Sequence, residues 1–345
     1  MNKLLNKIEE ISPKSILVIT GKNSYLKSDF YSELILLKHK YEVKVWNYKW
    51  SYPDFNLIDD FIKHNNLFYD LIISYGGGTV IDVSKLLSIS NNFYDFNEVL
   101  DGEKIKTSIN HLCIPTTFGS GSESTSFAVM YKNKFKYSIQ SSFITPNHII
   151  LNYRYTLNLN GKPSYCCIFD SFCQSIESLW SINNTDESSK YALNAIKLIS
   201  PILRKIKNLS SSNRQDLLLA SHLSGKAINI TKTTAPHAFS YYLTTNHNIC
   251  HGEAVSIIFE KFIDLNFNYI SENNRKEILK YLNLKNKKEF ILFFESLKRN
   301  VGFKLSLNDI EDLNLKNYSE SINTQRLKNN PVKINPRGII YDSMQ

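Results

Sequence analysis

Apolar and polar positions change rhythm near the middle of the chain. Up to about residue 152, short runs rich in β-branched residues (15–21, 41–47, 71–78, 111–117, 148–152) alternate with amphipathic stretches (24–38, 55–64, 79–88). Strand-length runs separated by helix-length segments predict an α/β lobe with a largely parallel sheet. Beyond Tyr153 the apolar spacing follows the helical period, over 164–181, 187–207, 214–230, 254–270 and 287–299, so the second half is predicted to be all-helical. Asn184-Thr-Asp-Glu187, ahead of Tyr191, has the form of a capping box. The expected organisation is an α/β domain over 1–155 and an all-α domain over 156–345, with a short hinge near 150–160 and the functional site in the cleft between them.

A chain of 345 residues supports two lobes, because single cores stop growing near ~250–300 residues. The apolar runs are strand-length, well short of the ~20 residues a bilayer requires. The N-terminal MNKLLNKIEEIS interleaves charges with its leucines and lacks the apolar block of a signal peptide. A cytoplasmic protein with no membrane partner is expected. Cys113, Cys166, Cys167, Cys173 and Cys250 are odd in number and form no CxxC pair, which argues against a disulfide framework or a zinc finger. The net charge of +9 is spread over lysines among many asparagines, densest at 275–288, with no aromatic-interleaved basic module. That pattern fits a solvated surface rather than a nucleic-acid interface, and leaves open a local attraction for anions.

Gly76-Gly77-Gly78-Thr79 follows the apolar run LIISY and leads into a predicted helix carrying Asp82 and Lys85. Glycines without Cβ atoms let backbone N–H groups approach a pyrophosphate, and the helix N-terminus adds partial positive charge. Asp82 is placed to cap free N–H groups opposite Thr79, and Lys85 to add a cation one turn later. A bare glycine turn between strand and helix has the same appearance, and this is not the GxGxxG fingerprint. A second segment, Pro115 to Glu123 (PTTFGSGSE), also follows a strand; its hydroxyls and glycines suit a ribose or a nicotinamide amide, or simply a polar loop.

GGGTVIDVSK and IPTTFGSGSE, with ILVITGKNSYLKS before them and FITPNHIILN after, resemble the iron-type alcohol dehydrogenase and dehydroquinate synthase-like superfamily, and the resemblance runs over most of the chain. It implies a dinucleotide-binding α/β domain followed by an all-helical metal- and substrate-binding domain. It also implies NAD(P) contacts from Gly76, Gly77, Gly78, Thr79, Asp82, Thr116, Thr117 and Ser120. NAD-preferring members often carry an Asp at the end of the second strand, where this chain has Asn47. A neutral side chain does not repel a 2′-phosphate, so NADPH is expected to be tolerated as well as NADH, with the preference between them left open.

In the helical half, Asp170 opens DSFCQSIES, His237 lies in APHAFSYY, and His251 lies in CHGEAV fourteen residues later. Carboxylate and imidazole are good ligands for Fe²⁺ or Zn²⁺, although a single histidine is usually just a hydrogen-bonded residue. The family resemblance implies that Asp170, His237 and His251 are its first, third and fourth ligands. Its second ligand is a His four residues after the Asp, one helical turn on, and here that position is Gln174. An amide oxygen is a weaker donor than imidazole for these ions. The alternatives are a weaker site with Gln174 or its bound water as ligand, a shifted metal preference, or no metal. The first is favoured, with Fe²⁺ ahead of Zn²⁺.

Lys226 and Lys232 lie eleven and five residues before His237, where simple-alcohol members of the family tend to be less basic. Surface lysines are the commoner case. The functional reading is that Lys232, with Lys226 or Arg326, pairs with an anionic substrate group. FDSFCQSIESLWSINNTDES, GKAINITKTTAPHAFSYYLT and INTQRLKNNP look most similar to the phosphonoacetaldehyde reductase branch, which implies reduction of phosphonoacetaldehyde to 2-hydroxyethylphosphonate. The chain ends earlier than typical members, so abbreviated C-terminal helices are expected. The implied chemistry is hydride transfer from nicotinamide to a metal-polarised aldehyde, with Tyr241 as a proton relay or merely a packed tyrosine. The expected partners are a small aldehyde or alcohol and a second copy of the chain. Two rivals remain: a dehydroquinate synthase-like carbon–oxygen lyase, and a catalytically silent nicotinamide-binding protein.

Overall fold

The computed structural model describes residues 3–22, 24–65, 68–90, 100, 102–133, 135–322 and 324–344. Two compact units are present: Met1–Thr117 with Gly121–Leu159, and Phe118–Ser120 with Asn160–Gln345.

The first unit runs α1 (Lys3–Ile11), β1 (Ser15–Thr20), α2 (Asp29–Lys40), β2 (Glu42–Asn47), α3 (Phe55–His64), β3 (Leu71–Gly76), α4 (Gly78–Ser88), β4 (Asn110–Pro115), β5 (Phe127–Lys132), β6 (Phe135–Gln140) and β7 (His148–Ile149). Five strands form a parallel sheet in the order β2-β1-β3-β4-β7. On β1, Leu17 and Ile19 join one core with Ile58 and Phe61 of α3 and Val83 and Leu87 of α4. Ile16 and Val18 join another with Leu4 and Ile8 of α1 and Phe30, Leu34 and Leu37 of α2. Helices cover both faces, which is why these strands read as continuous apolar runs. Asp54 fixes the start of α3, its carboxylate accepting from the Asn56 and Leu57 amides.

Two expectations for this unit need correction. The antiparallel hairpin β5–β6 was not foreseen. Its inward residues Ala128, Met130 and Ile139 pack into the α3/α4 core, while Lys and Tyr side chains interrupt the apolar run that would mark a strand. The predicted strand at 148–152 pairs over His148–Ile149 only.

The second unit contains α5 (Lys162–Trp180), α6 (Asp186–Leu203), α7 (Ser211–Thr231), α8 (Ala235–His247), α9 (His251–Ser256), α10 (Phe259–Asn266), α11 (Glu272–Leu282), α12 (Lys287–Val301), α13 (Leu315–Ser321), α14 (Thr324–Leu327) and α15 (Pro336–Asp342). No strand occurs among its described residues. The predicted helix at 254–270 is broken into α9, α10 and a 3₁₀ turn, because apolar spacing continues across breaks that only the backbone reveals. Thr185 with Ser188, not Asn184 with Glu187, makes the capping box of α6. The Asn184 amide instead donates to the Ser178 carbonyl at 2.9 Å. α5 is buried along almost its whole length and packs against α6, α7 and α9, as expected of a helix enclosed on all sides. Among the described residues no helix is long and apolar enough to cross a membrane.

Candidate functional site

In the first unit the chain steps from β1 outward to β2 and returns to β3 on the other side. The carboxyl ends of β1 and β3 therefore flank a topological switch point, where open parallel sheets place ligands. Thr20 pairs with Asn47 on one side and Tyr75 on the other. Gly76 ends β3, Gly77 is the N-cap of α4 without a side-chain cap, and Gly78 is its first residue. A Cβ on Gly76 would strike the Val80 side chain, so this close strand-to-helix turn requires glycine. The uncapped amides at the start of α4 suit a phosphate. Thr116 is tied to the same turn by its amide, which donates to the Gly76 carbonyl at 3.0 Å, and the Thr117 side chain faces Gly77. Thr79 donates its hydroxyl to the Ser51 carbonyl at 2.9 Å. Asn47 accepts from the Thr20 hydroxyl at 2.8 Å. Ser120 groups with the helical unit.

Asp82 and Lys85 differ from expectation. Asp82 caps nothing: one carboxylate oxygen accepts from the Ser122 hydroxyl and the other from the Val129 amide at 3.0 Å. Lys85 is fully buried, and its ammonium donates to Ser122 Oγ at 3.2 Å, Thr125 Oγ1 at 2.8 Å and the Phe127 carbonyl at 2.8 Å. Their carboxylate and ammonium lie 3.8 Å apart. Rather than lining a phosphate, the pair ties α4 to the segment 122–129. Helical spacing put them on one face but did not indicate which way that face looks.

In the second unit, Asp170 on α5, His237 in the first turn of α8 and His251 at the start of α9 bring their ligand atoms within 4.8 Å of one another. His237 Nε2 is 3.2 Å from Asp170 Oδ1, and His251 Nε2 is 3.8 Å from it. Ligands ~2.0–2.2 Å from one tetrahedral ion stand roughly 3.3–3.6 Å apart, so this set fits a divalent metal. Asp170 and His237 are buried, and the His251 side chain is 38 % exposed. Burial alone would raise the Asp170 pKa, but the His251 and His237 imidazoles and the Gln174 amide hold it below the usual carboxylate range. Burial would likewise lower His237, yet the Glu177 and Asp170 carboxylates push it up to about 10 in the metal-free chain.

Glu177 was missed in the sequence. It is 0 % exposed, and one oxygen accepts from the Thr234 amide at 2.7 Å and its hydroxyl at 2.8 Å. The other oxygen pairs with His237 Nδ1. That contact fixes the ring with Nε2 turned toward Asp170, the arrangement by which an outer carboxylate orients a metal-binding histidine. The available signal was its position seven residues after Asp170, two turns along the same helix face.

Gln174 has both ends of its amide engaged. Nε2 donates to the Gly119 carbonyl at 3.2 Å, and Oε1 accepts from Ser224 Oγ at 3.3 Å. The Tyr241 ring lies parallel to that of His251, with centroids 6.2 Å apart. Lys232 caps α7 at φ 59° and ψ 172°, and its ammonium donates to the Asn229 carbonyl at 3.2 Å. Lys226 instead lies over the Tyr191 ring at 5.4 Å. Arg326 is on α14, which packs against α8.

Comparison with known proteins agrees with this layout. The family model for iron-containing alcohol dehydrogenase matches residues 1–153, and the model for the C-terminal part of that family matches 167–344. A phosphonoacetaldehyde reductase of Streptomyces viridochromogenes is 27% identical over 214 residues, 57% of this chain and 53% of that protein. A sulfoacetaldehyde reductase of Bilophila wadsworthia is 28% identical over 221 residues, 61% of this chain and 55% of that one. The chain thus spans about half the length of these curated relatives. The crystal structure of a sulfoacetaldehyde reductase from Bifidobacterium kashiwanohense in complex with NAD⁺ shares the fold, with a TM-score of 0.84 and 24% identity, covering 98% of this chain and 92% of that one.

Proposed function

Since the chain belongs to the iron-containing alcohol dehydrogenase family, we propose that it reduces a small anionic aldehyde to the alcohol, with phosphonoacetaldehyde to 2-hydroxyethylphosphonate as the leading reaction. The observation that carries this reading is the convergence of Asp170, His237 and His251 within 4.8 Å. When bound, a nicotinamide dinucleotide supplies the hydride and a divalent metal, Fe²⁺ or Zn²⁺, supplies a Lewis acid.

The chain's own residues then divide the work. The α/β unit binds the dinucleotide: the open amides at the start of α4, with Gly76, Gly77, Gly78 and Thr79, cradle the pyrophosphate, and Thr116 and Thr117 border the rest. Asn47, uncharged, accepts a 2′-phosphate or a bare ribose. Asp170, His237 and His251 of the helical unit hold the metal, and Glu177 keeps the proton on His237 Nδ1 so that Nε2 is free to bind. Gln174 would complete that shell through its amide oxygen by giving up the Ser224 contact. Tyr241 holds a proton at Oη, its ring set against His251.

The choice of an anionic substrate rests on Lys232. Its backbone occupies a region that only glycine adopts readily, at a cost of about 1–3 kcal/mol. Strain of this kind collects at functional sites, and this residue stands five positions before His237. The relatives named above carry a phosphonate or sulfonate in the names of their substrates.

The test is NADPH and NADH oxidation by the full chain on phosphonoacetaldehyde, sulfoacetaldehyde and propanal, with added Fe²⁺, Zn²⁺ or a chelator. The expected result is a clear preference in kcat/KM for the anionic aldehydes, abolished by chelator, with Lys232→Ala raising KM for those substrates alone. Equal activity on propanal removes the anionic reading, and indifference to chelator removes the metal.

A further inference from the structure

The two asparagines that close the segment INTQRLKNNP take no part in the proposed chemistry, yet both are bonded into the helical unit. Asn330 is buried and exchanges amide hydrogen bonds with Asn266 at the end of α10, at 2.7 and 3.2 Å, which roots the segment. Asn329 reaches further. Its Nδ2 donates to the Thr233 carbonyl at 3.1 Å, and its Oδ1 accepts from Asn183 Nδ2 at 3.1 Å. Its backbone carbonyl accepts from the Ile182 amide at 3.1 Å, and its own amide donates to the Arg326 carbonyl at 3.2 Å. One residue therefore joins α14, the turn that follows α5, and the turn between α7 and α8.

That last turn contains Lys232, whose backbone stands at φ 59° and ψ 172°. Such a conformation persists only where the surroundings over-determine it. On the upstream side the Lys232 amide donates to the Ile228 carbonyl at 2.8 Å, and the Lys232 carbonyl accepts from Thr231 Oγ1 at 2.9 Å. On the downstream side Glu177 accepts from Thr234, and Asn329 donates to Thr233. Glu177 is committed to orienting His237, so the Asn329 bond is a restraint on this turn from outside the metal site. A neutral hydrogen bond and backbone strain of this kind are of similar size, so one lost bond is enough to let the turn relax.

From this clamp on a strained turn, we propose that Asn329 is a positioning residue for the substrate anion, acting through Lys232 by fixing where its ammonium stands. The inference rests on the reading of Lys232 as the partner of an anionic aldehyde. Asp170, His237 and His251 are held by α5, α8 and α9, so relaxation of the turn acts on binding of the anionic group before it acts on hydride transfer.

The experiment is steady-state kinetics of the full chain with NADPH and added Fe²⁺, on phosphonoacetaldehyde and on propanal. Wild type, Asn329→Leu, Lys232→Ala and the double variant are compared. Leucine keeps the charge and roughly the volume of asparagine but has no donor, so a change in KM cannot come from a new charge. Asn329→Leu should raise the KM for phosphonoacetaldehyde relative to that for propanal by about three- to tenfold, with kcat within about twofold of wild type. In the Lys232→Ala background it should add nothing, because the ammonium it positions is gone. Should Asn329→Leu not fold, the same comparison is made with Asn183→Ala, an exposed position that holds the Asn329 oxygen. An equal rise for both aldehydes, or fold-changes that multiply in the double variant, would mean a merely structural role and overturn the inference. Loss of the anionic preference in Lys232→Ala, with none in Asn329→Leu, overturns the inference alone. A Lys232→Ala variant with unaltered KM removes the anionic reading itself and this inference with it.

Discussion

Replacing Glu177 by glutamine exchanges one oxygen for an amide nitrogen and leaves the volume of the side chain almost untouched. At 0 % exposure the carboxylate has no water to fall back on, and it serves the Thr234 amide, the Thr234 hydroxyl and His237 Nδ1. A glutamine oxygen facing Thr234 turns its NH₂ toward Nδ1, which must then accept and leave the ring proton on Nε2. The opposite orientation sets the NH₂ against the Thr234 N–H, donor against donor. In the first case the neutral ring holds its proton on the metal-facing nitrogen, 3.2 Å from Asp170 Oδ1, whereas with Glu177 in place the imidazolium that loses one proton keeps the other on Nδ1 and leaves Nε2 free. Loss of an outer partner of this kind costs about 10–100-fold in metal affinity, roughly 1.4–2.8 kcal/mol. Titration with Co²⁺ against a competing chelator, followed by the visible bands of the bound ion, measures this directly. The metal-free protein provides a second readout. The raised His237 pKa contributes stability in full below the ordinary value of 6.5, and that stability fades as pH climbs through about 10. Glu177 is the leading cause of the rise, so Glu177→Gln should flatten the decline of Tm across that window. A folded Glu177→Gln variant that binds Co²⁺ within twofold of wild type would refute the orienting role.

Three further outcomes follow from the same geometry. Lys85→Met removes the cation from a fully buried network and strands Asp82, so stability in urea should fall by about 3–5 kcal/mol, with weaker NADH binding; unchanged stability would mean that the network is incidental. Asn47→Asp places a negative charge at the end of β2, and the ratio of NADPH to NADH affinity, read by cofactor fluorescence, should drop about tenfold or more; a constant ratio would place the adenosine ribose elsewhere. Gly252→Ala sets a methyl group on the Cys166 carbonyl oxygen, forcing α9 away from α5, so a loss of about 1–3 kcal/mol in stability should accompany weaker metal binding; retention of both would show that the two helices separate freely.

Sequence pattern alone was sufficient wherever the physics is local. Helix α3 matches its predicted span of 55–64, because an Asp cap and a clean apolar stripe act within a few residues. The parallel sheet was legible because helices on both faces demand continuous apolar strands, and the glycine turn after β3 because the chain reverses there at close quarters. Asp170, His237 and His251 stood out by residue type and by resemblance. Tertiary structure decided the direction in which polar side chains point. It turned Asp82 and Lys85 inward, engaged both ends of the Gln174 amide, and set Glu177 behind His237, 60 positions away along the chain. It also formed the hairpin β5–β6 from residues with weak strand character, since burial against α3 and α4 supplies what their own pattern lacks. Periodicity reports which face of an element is apolar; the partner of a buried charge depends on what lies across the gap, and only packing fixes that.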